Sequence, residues 1–200
     1  MIIDAETYRL KEDNYFVDEN EKNLIVIGNS FSDKLNHFTG WLNRHDGKYK
    51  KTAHYTISRK GEVYEHFNPL QHSNFLKNKR VISIVLENKG WLKKDLKSGK
   101  YIDWIGNPYK RRVKVLEKRW RGQQYWDPYT KKQFTTTVKL VKYLCEKYGV
   151  DNKCVGHNTF INEVGDFCGV TYRSNFFKDN TDVNPSWDFK KFKDLIENRK

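Results

Sequence analysis

The sequence predicts an α/β domain, a mixed central β-sheet flanked by helices. Three observations predict it. Short continuous apolar runs, Leu24, Ile25, Val26, Ile27 and Val81, Ile82, Ser83, Ile84, Val85, Leu86, end at turn or polar residues and read as buried strands. Residues 130–149 and 189–196 carry apolar side chains at helical spacing instead. The two kinds of segment alternate along the chain as strand, helix, hairpin, strand, helix, strand, helix, which a mixed sheet covered by helices satisfies.

The elements follow in order. Tyr8 to Val17 reads as an edge strand or hairpin, and the first buried strand runs from Leu24 to Ile27 and stops at Gly28, Asn29 and Ser30. Ser32 is placed to cap a helix with Leu35, Phe38, Trp41 and Leu42 on one face, ending near His45, Asp46 and Gly47. Residues 52–64 read as a hairpin turning at Arg59, Lys60 and Gly61, with the glycine supplying a positive φ. After the strand at 81–86, Thr130 and Gln133 suggest a capping box. The helix it opens has Phe134, Val138, Val141, Cys145 and Tyr148 as its stripe and Gly149 as its stop. Cys154, Val155, Gly156 and His157 read as a short strand delivering His157 to a loop. The last helix turns Phe189, Phe192 and Ile196 inward.

Two hundred residues suit one domain, with no repeat and no Gly/Ser-rich linker to divide it. Apolar residues at 37% and aromatics at 15% exclude a disordered chain. No apolar run approaches the roughly 18 residues of a membrane span. Met1 to Glu6 lacks a basic stretch followed by an apolar one, so the expectation is synthesis in the cytosol without a signal peptide.

The net charge of +13 leaves two readings open, a solvated basic surface or a polyanionic partner such as nucleic acid, a wall polymer or anionic lipid. Residues 91–127 concentrate that charge, with eleven Lys/Arg against four Asp/Glu, among Trp91, Tyr101, Trp104, Tyr109, Trp120, Tyr125 and Trp126. The segment is too long for a plain loop, so it reads as an insertion forming its own hairpin or subdomain. Most of its rings are expected to pack, and one or two to meet a ligand such as a sugar or base. Cys145, Cys154 and Cys168 are too few and too odd in number for a disulfide framework and read as buried thiols. The Cys154–His157 spacing alone is a weak metal signal.

Five stretches, taken in order, resemble the zinc-dependent N-acetylmuramoyl-L-alanine amidase superfamily, which includes phage amidase-type lysozymes and peptidoglycan recognition proteins. They are the hairpin from Ala53 to Tyr64, the strand Ile82 to Asn88, the helix start at Pro128, Tyr129, Thr130 and Gln133, the loop Val155 to Asn158, and the closing segment Asp182 to Phe189. Together they span roughly residues 24–196, with the insertion unmatched.

The resemblance implies a fold like that of these amidases and a groove for peptidoglycan muropeptides. It also implies cleavage of the amide between N-acetylmuramic acid and L-alanine, by a zinc ion with three protein ligands and an open position for water. His157 stands at the second ligand and Asp182 at the third, whereas the first, a histidine at the end of the first strand, corresponds to Gly28. His54 or His72 is left as a replacement ligand; each also matches a groove position. The proton-handling glutamate of some members corresponds to Val85, with Glu87 expected on the same strand face. The lysine that some members carry before the third ligand corresponds to Asn180, leaving Lys178 or Arg173 to reach in. Catalytic candidates are therefore His54, Arg173 and Lys178, and His54, Tyr55, His72, Asn158 and Arg173 are expected to contact substrate.

The expectation is a peptidoglycan-binding protein of amidase fold with impaired or absent hydrolysis, zinc being left two of its three ligands. The alternative is an active phage-type amidase, an endolysin or virion-associated lysin, with altered zinc ligation and phage-type release to the wall. A further alternative is a structural or nucleic-acid-binding protein that reuses the fold, with the basic insertion as its contact surface.

Overall fold

The computed structural model describes residues 1–198. Its main sheet has the order β1-β4-β3-β5-β2-β11, where β1 is Ile3–Asp4, β2 Leu24–Asn29, β3 Tyr55–Ile57, β4 Val63–Glu65, β5 Val81–Leu86 and β11 Gly169–Tyr172. The strands β3, β5, β2 and β11 are mutually parallel, so their carboxyl ends, at Ile57, Leu86, Asn29 and Tyr172, lie on one side of the molecule. Strand β4 closes the predicted hairpin antiparallel to β3, and Gly61 in its turn has φ +83°. Strand β1, which the sequence did not announce, adds parallel to β4.

Both faces of the sheet are covered. Helix α2, Lys131–Tyr148, and helix α3, Phe189–Ile196, pack Leu140, Val141, Leu144, Phe192 and Ile196 against Ile25, Ile27, Ile82, Ile84 and Leu86. The alternate residues Leu24, Val26, Val81 and Val85 face the other way, onto Trp41 of helix α1 (Lys34–Asn43) and onto Phe67 and Phe75. This period of two places Gly28 on the α1 face of β2.

Several local expectations are corrected. Asp33, not Ser32, caps α1, its carboxylate accepting from the Asn36 amide at 2.9 Å. Residues 8–17 form no strand; the chain makes a 3₁₀ turn at Glu12–Asn14 and a single bridge from Phe16 to His72. Thr130 caps α2 as expected, but Gln133 does not reach back to it. The Gln133 amide group instead donates to the Ile57 and Glu87 carbonyls at 3.1 and 3.0 Å, tying the ends of β3 and β5 together. Of the strand expected at residues 154–157 only a bridge from Cys154 to Val170 forms; the real strand is β11, preceded by an exposed Cys168 that was expected to be buried.

The insertion builds a second sheet. Strands β6 (Trp91–Lys94), β7 (Tyr101–Ile102), β8 (Pro108–Tyr109), β9 (Lys114–Trp120) and β10 (Gln123–Trp126) pair antiparallel in the order β8-β7-β6-β10-β9. Asp127, fully buried, anchors it: its carboxylate accepts from Arg59 at 3.0 Å, Arg111 at 3.0 Å, Tyr109 at 2.5 Å and the Lys89 amide at 2.8 Å. The Trp104 indole donates to the Phe31 carbonyl at 2.9 Å, and Arg121 donates to the Ser174 and Phe177 carbonyls at 2.9 Å each. The second sheet thus stands over the carboxyl ends of the parallel strands.

Candidate functional site

At those carboxyl ends the chain gathers Gly28, Arg173, Asp182 and His157. Asp182 is fully buried, and neither carboxylate oxygen makes a well-formed hydrogen bond. The Arg173 guanidinium stands 3.6 Å from Oδ2. Burial pushes the Asp182 carboxyl up to about 6, against the opposing pull of Arg173 and the Asn29 backbone. The His157 ring stacks on Phe189 of α3, centroids 3.7 Å apart, and meets Trp120 of β9 at 4.7 Å. Its Nε2 is buried without a partner. Burial and the nearby Arg121 charge lower the imidazole to about 4, opposed by the Val183 carbonyl. Since Val183 follows Asp182, the two residues expected at the second and third ligand positions are brought to the same corner.

The position expected to carry the first ligand is built differently. A Cβ on Gly28 would lie 3.1 Å from Asp182 Oδ2, 3.1 Å from the Phe75 ring and 3.7 Å from Arg173 Cδ. The volume that a strand-end side chain would occupy is therefore filled by a carboxylate, a ring and a guanidinium stem. Gly28 pairs in register with Val85, which is buried and apolar.

The remaining candidates lie elsewhere. His54 is buried beside β3 with both ring nitrogens engaged: Nδ1 accepts from the Ser83 amide at 3.0 Å and Nε2 donates to the Gln71 carbonyl at 3.0 Å. Burial lowers it to about 3. Tyr55 is buried in the core and donates to Glu65 at 2.8 Å. His72 stacks on Phe16 and bonds Asp18 at 2.9 Å. As placed, His54 and Tyr55 are buried within the fold, and His72 is held in a loop by Asp18 and Phe16. Glu87 does not share the face of Val85; it lies past the end of β5 and accepts from the Arg59 amide at 3.1 Å. Lys178 stands 5.2 Å over the exposed Phe160 ring rather than at Asp182. Asn158 is exposed at the rim, accepting from the Trp120 indole at 3.0 Å. Sequence reasoning missed Phe75, Asn29 and Trp120. Phe75 carried no signal in a polar loop, and Asn29 looked like a turn residue.

A cavity of about 480 Å³ opens beside Gly28 on the α1 face, reaching Arg173, Val85, Trp91 and Trp104. Two rings of the insertion thus line a concave surface, while Trp126 is fully buried and Tyr101 packs edge-on against Tyr125.

With this geometry in hand, comparison with known proteins is informative. Residues 18–168 match the family model for N-acetylmuramoyl-L-alanine amidase. The chain belongs to that family. No curated protein matches the sequence closely enough to count as a relative. Among solved structures, it resembles the N-acetylmuramoyl-L-alanine amidase LysC from Clostridium intestinale with a TM-score of 0.52 at 12% identity, over 96% of this chain and 95% of that one. It resembles the hydrolase AmiA from Staphylococcus aureus with a TM-score of 0.52 at 11% identity, over 98% of this chain and 82% of that one. At such identities the likeness concerns the fold.

Family members are typically zinc-dependent, so the donor set of this amidase-family chain was tested against zinc. The orphaned His157 Nε2 and Asp182 carboxylate are suitable donors. A catalytic zinc takes three protein ligands, and Gly28 offers none. Among the described residues no three His, Cys, Asp or Glu side chains converge as a metal site. The residues present do not complete a zinc site of the family's kind.

Proposed function

We propose that this chain is a peptidoglycan-binding protein of amidase fold whose hydrolysis is impaired or absent. The observation that supports it is the tight space at Gly28: Asp182 and Phe75 crowd the place from which the first ligand would project, with Arg173 in contact beside them. A groove at the carboxyl ends of the parallel strands remains, with cations and aromatic rings on its walls, and such walls suit sugars and carboxylate-bearing peptides. Action at the cell wall, reached by phage-type release, goes with this reading. No helix among the described residues is long and apolar enough to cross a membrane.

A second reading, an active amidase with altered ligation, is favoured by the two orphaned donors, His157 and Asp182. One set of measurements separates the readings. Purified protein is incubated with insoluble peptidoglycan, assayed for release of new alanine amino termini, and analysed for zinc after loading and desalting. Retention on peptidoglycan with neither cleavage nor bound zinc is expected. Cleavage, with about one zinc per chain that His157→Ala and Asp182→Ala both lose, establishes the second reading. Failure to bind peptidoglycan under any condition overturns both, and strongly salt-dependent binding to arbitrary DNA would then favour a nucleic-acid role.

A further inference from the structure

The 480 Å³ cavity beside Gly28 has a charge balance that the zinc question leaves unexplained. Arg44, Lys51 and Arg173 line it, and no Asp or Glu does. Neither Arg44 nor Lys51 makes an ion pair among the described residues, and Arg173 has one carboxylate neighbour, Asp182, set behind it at 3.6 Å. Arg173 also keeps an unused donor, its Nε, buried with no hydrogen-bond partner. A buried donor left unpaired is destabilising, so it marks a place where an acceptor is wanted.

The walls are apolar rings. Trp91 and Trp104 come from the insertion, Phe75 from the loop before β5, and the uncharged Val85 lies among them. The Trp104 wall is held by its indole bond to Phe31, so the ring is positioned rather than free. Cations and indole faces around a space of this size fit one small group bearing an oxyanion, because an oxyanion accepts and never donates.

We propose that this cavity is a metal-independent oxyanion site in which the Arg173 guanidinium, with Arg44 and Lys51, supplies the fixed positive charge. The ligand is a saccharide-sized group carrying a carboxylate or a phosphate. The Arg173 guanidinium lies over the Phe75 ring at 5.1 Å, and both stand next to Gly28. The cavity is part of the groove read above as the peptidoglycan site, and the carboxylate arm of the proposal rests on that reading.

Isothermal titration of the whole chain tests it, with N-acetylmuramic acid, glycerol 3-phosphate and the uncharged ring N-acetylglucosamine as probes, each with and without EDTA. At least one anionic probe is expected to bind roughly tenfold or more tightly than N-acetylglucosamine, unchanged by EDTA. Preference for N-acetylmuramic acid assigns the carboxylate source, and preference for glycerol 3-phosphate assigns a phosphate polymer. The double variant Arg44→Gln/Lys51→Gln alters two exposed side chains that make no ion pair, and it is expected to keep the fold and weaken the anionic probe about tenfold. Binding that EDTA abolishes, equal binding of all three probes, binding unchanged in the double variant, or no binding of either anion overturns the proposal. Retention on peptidoglycan without small-anion binding would sink this proposal alone. Anion binding without retention would sink only the peptidoglycan reading.

Discussion

A Cβ at position 28 would approach both Asp182 Oδ2 and the Phe75 ring at 3.1 Å, closer than a methyl group is normally tolerated. Gly28→His alone therefore overpacks the strand end, with an expected cost of about 1–3 kcal/mol in urea unfolding. Removing the competing stem should change the outcome. In Gly28→His/Arg173→Ala the imidazole gains room beside the two orphaned donors, His157 Nε2 and the Asp182 carboxylate. Three ligands of the right kind would then stand together, and zinc retained after desalting is expected to rise to about one per chain. A folded double variant, judged by circular dichroism, that holds no more zinc than the parent would show that position 28 is not the missing ligand. The residue scale is also where the sequence was hardest to read. His54 sits in a hairpin whose neighbours Tyr55, Thr56 and Ile57 are all buried, so no alternation separates an inward from a groove-facing side chain. Its partners, Ser83 and Gln71, are distant in sequence, and nothing in the local pattern announces them.

Among the elements, the second sheet depends on one side chain. Asp127 gathers two guanidinium groups, a phenol and a backbone amide around a carboxylate with no exposure to solvent. Its backbone carbonyl also receives the Asn88 and Asn184 amides at 2.9 and 3.2 Å, linking the sheet to the segment after Asp182. Asp127→Ala leaves the Arg59 and Arg111 charges without their carboxylate partner, and breaking a buried pair on one side costs about 3–5 kcal/mol. The expected readout is local as well as global. Amides of residues 91–126 should exchange faster by hydrogen exchange than those of β2 and β5, where each strand is paired on both sides. Uniform loss of protection across both sheets would mean that the insertion is not a separately loosened layer. The elements with strong periodicity, β2, β5, α2 and α3, were legible because long apolar runs and stripes outvote local detail. The weak ones were not: β1 has two residues and no signal, and β11 is a four-residue strand opened by a glycine with φ +130°. Residues 154–157, next to β11, have a comparable composition but contribute only one bridge. The five strands of the insertion were hidden by charge, since only Leu92 and Trp126 among their residues are buried and they carry no alternation. The approach of His157 and Asp182 to one corner was expected from their motifs, whereas the cavity was not, because its lining comes from β2, β5, α1, several loops and the insertion at once.

Over the whole molecule the histidines set the response to acid. Burial is the leading cause in each of four: His37 and His54 are lowered to about 3, and His66 and His157 to about 4. Unfolded, each titrates near 6.5. As pH falls from 6.5 toward 4, the unfolded chain takes up protons that the folded chain refuses, so the stability these groups contribute above 6.5 is progressively lost. Asp182 runs the other way. Its folded carboxyl titrates near 6 and its unfolded one near 3.8, so it holds a proton in the fold and adds stability as pH falls across that window. One such group does not offset four. Carboxylates held low in the fold, such as Glu62 at about 2 beside Lys34, matter only below about pH 4.5, where their protonation begins to remove further stability. The net expectation is an unfolding free energy, from urea titrations, that is highest near pH 7 and falls steadily to pH 4, by an amount on the order of several kcal/mol. His66→Gln should flatten that slope while lowering stability at pH 7, since His66 gives up bonds to the Tyr8 carbonyl and Thr56 hydroxyl. An unfolding free energy that stays level or rises between pH 6.5 and pH 4.5 would mean that the buried imidazoles accept protons without cost, contrary to their hydrogen-bonded, water-excluded positions.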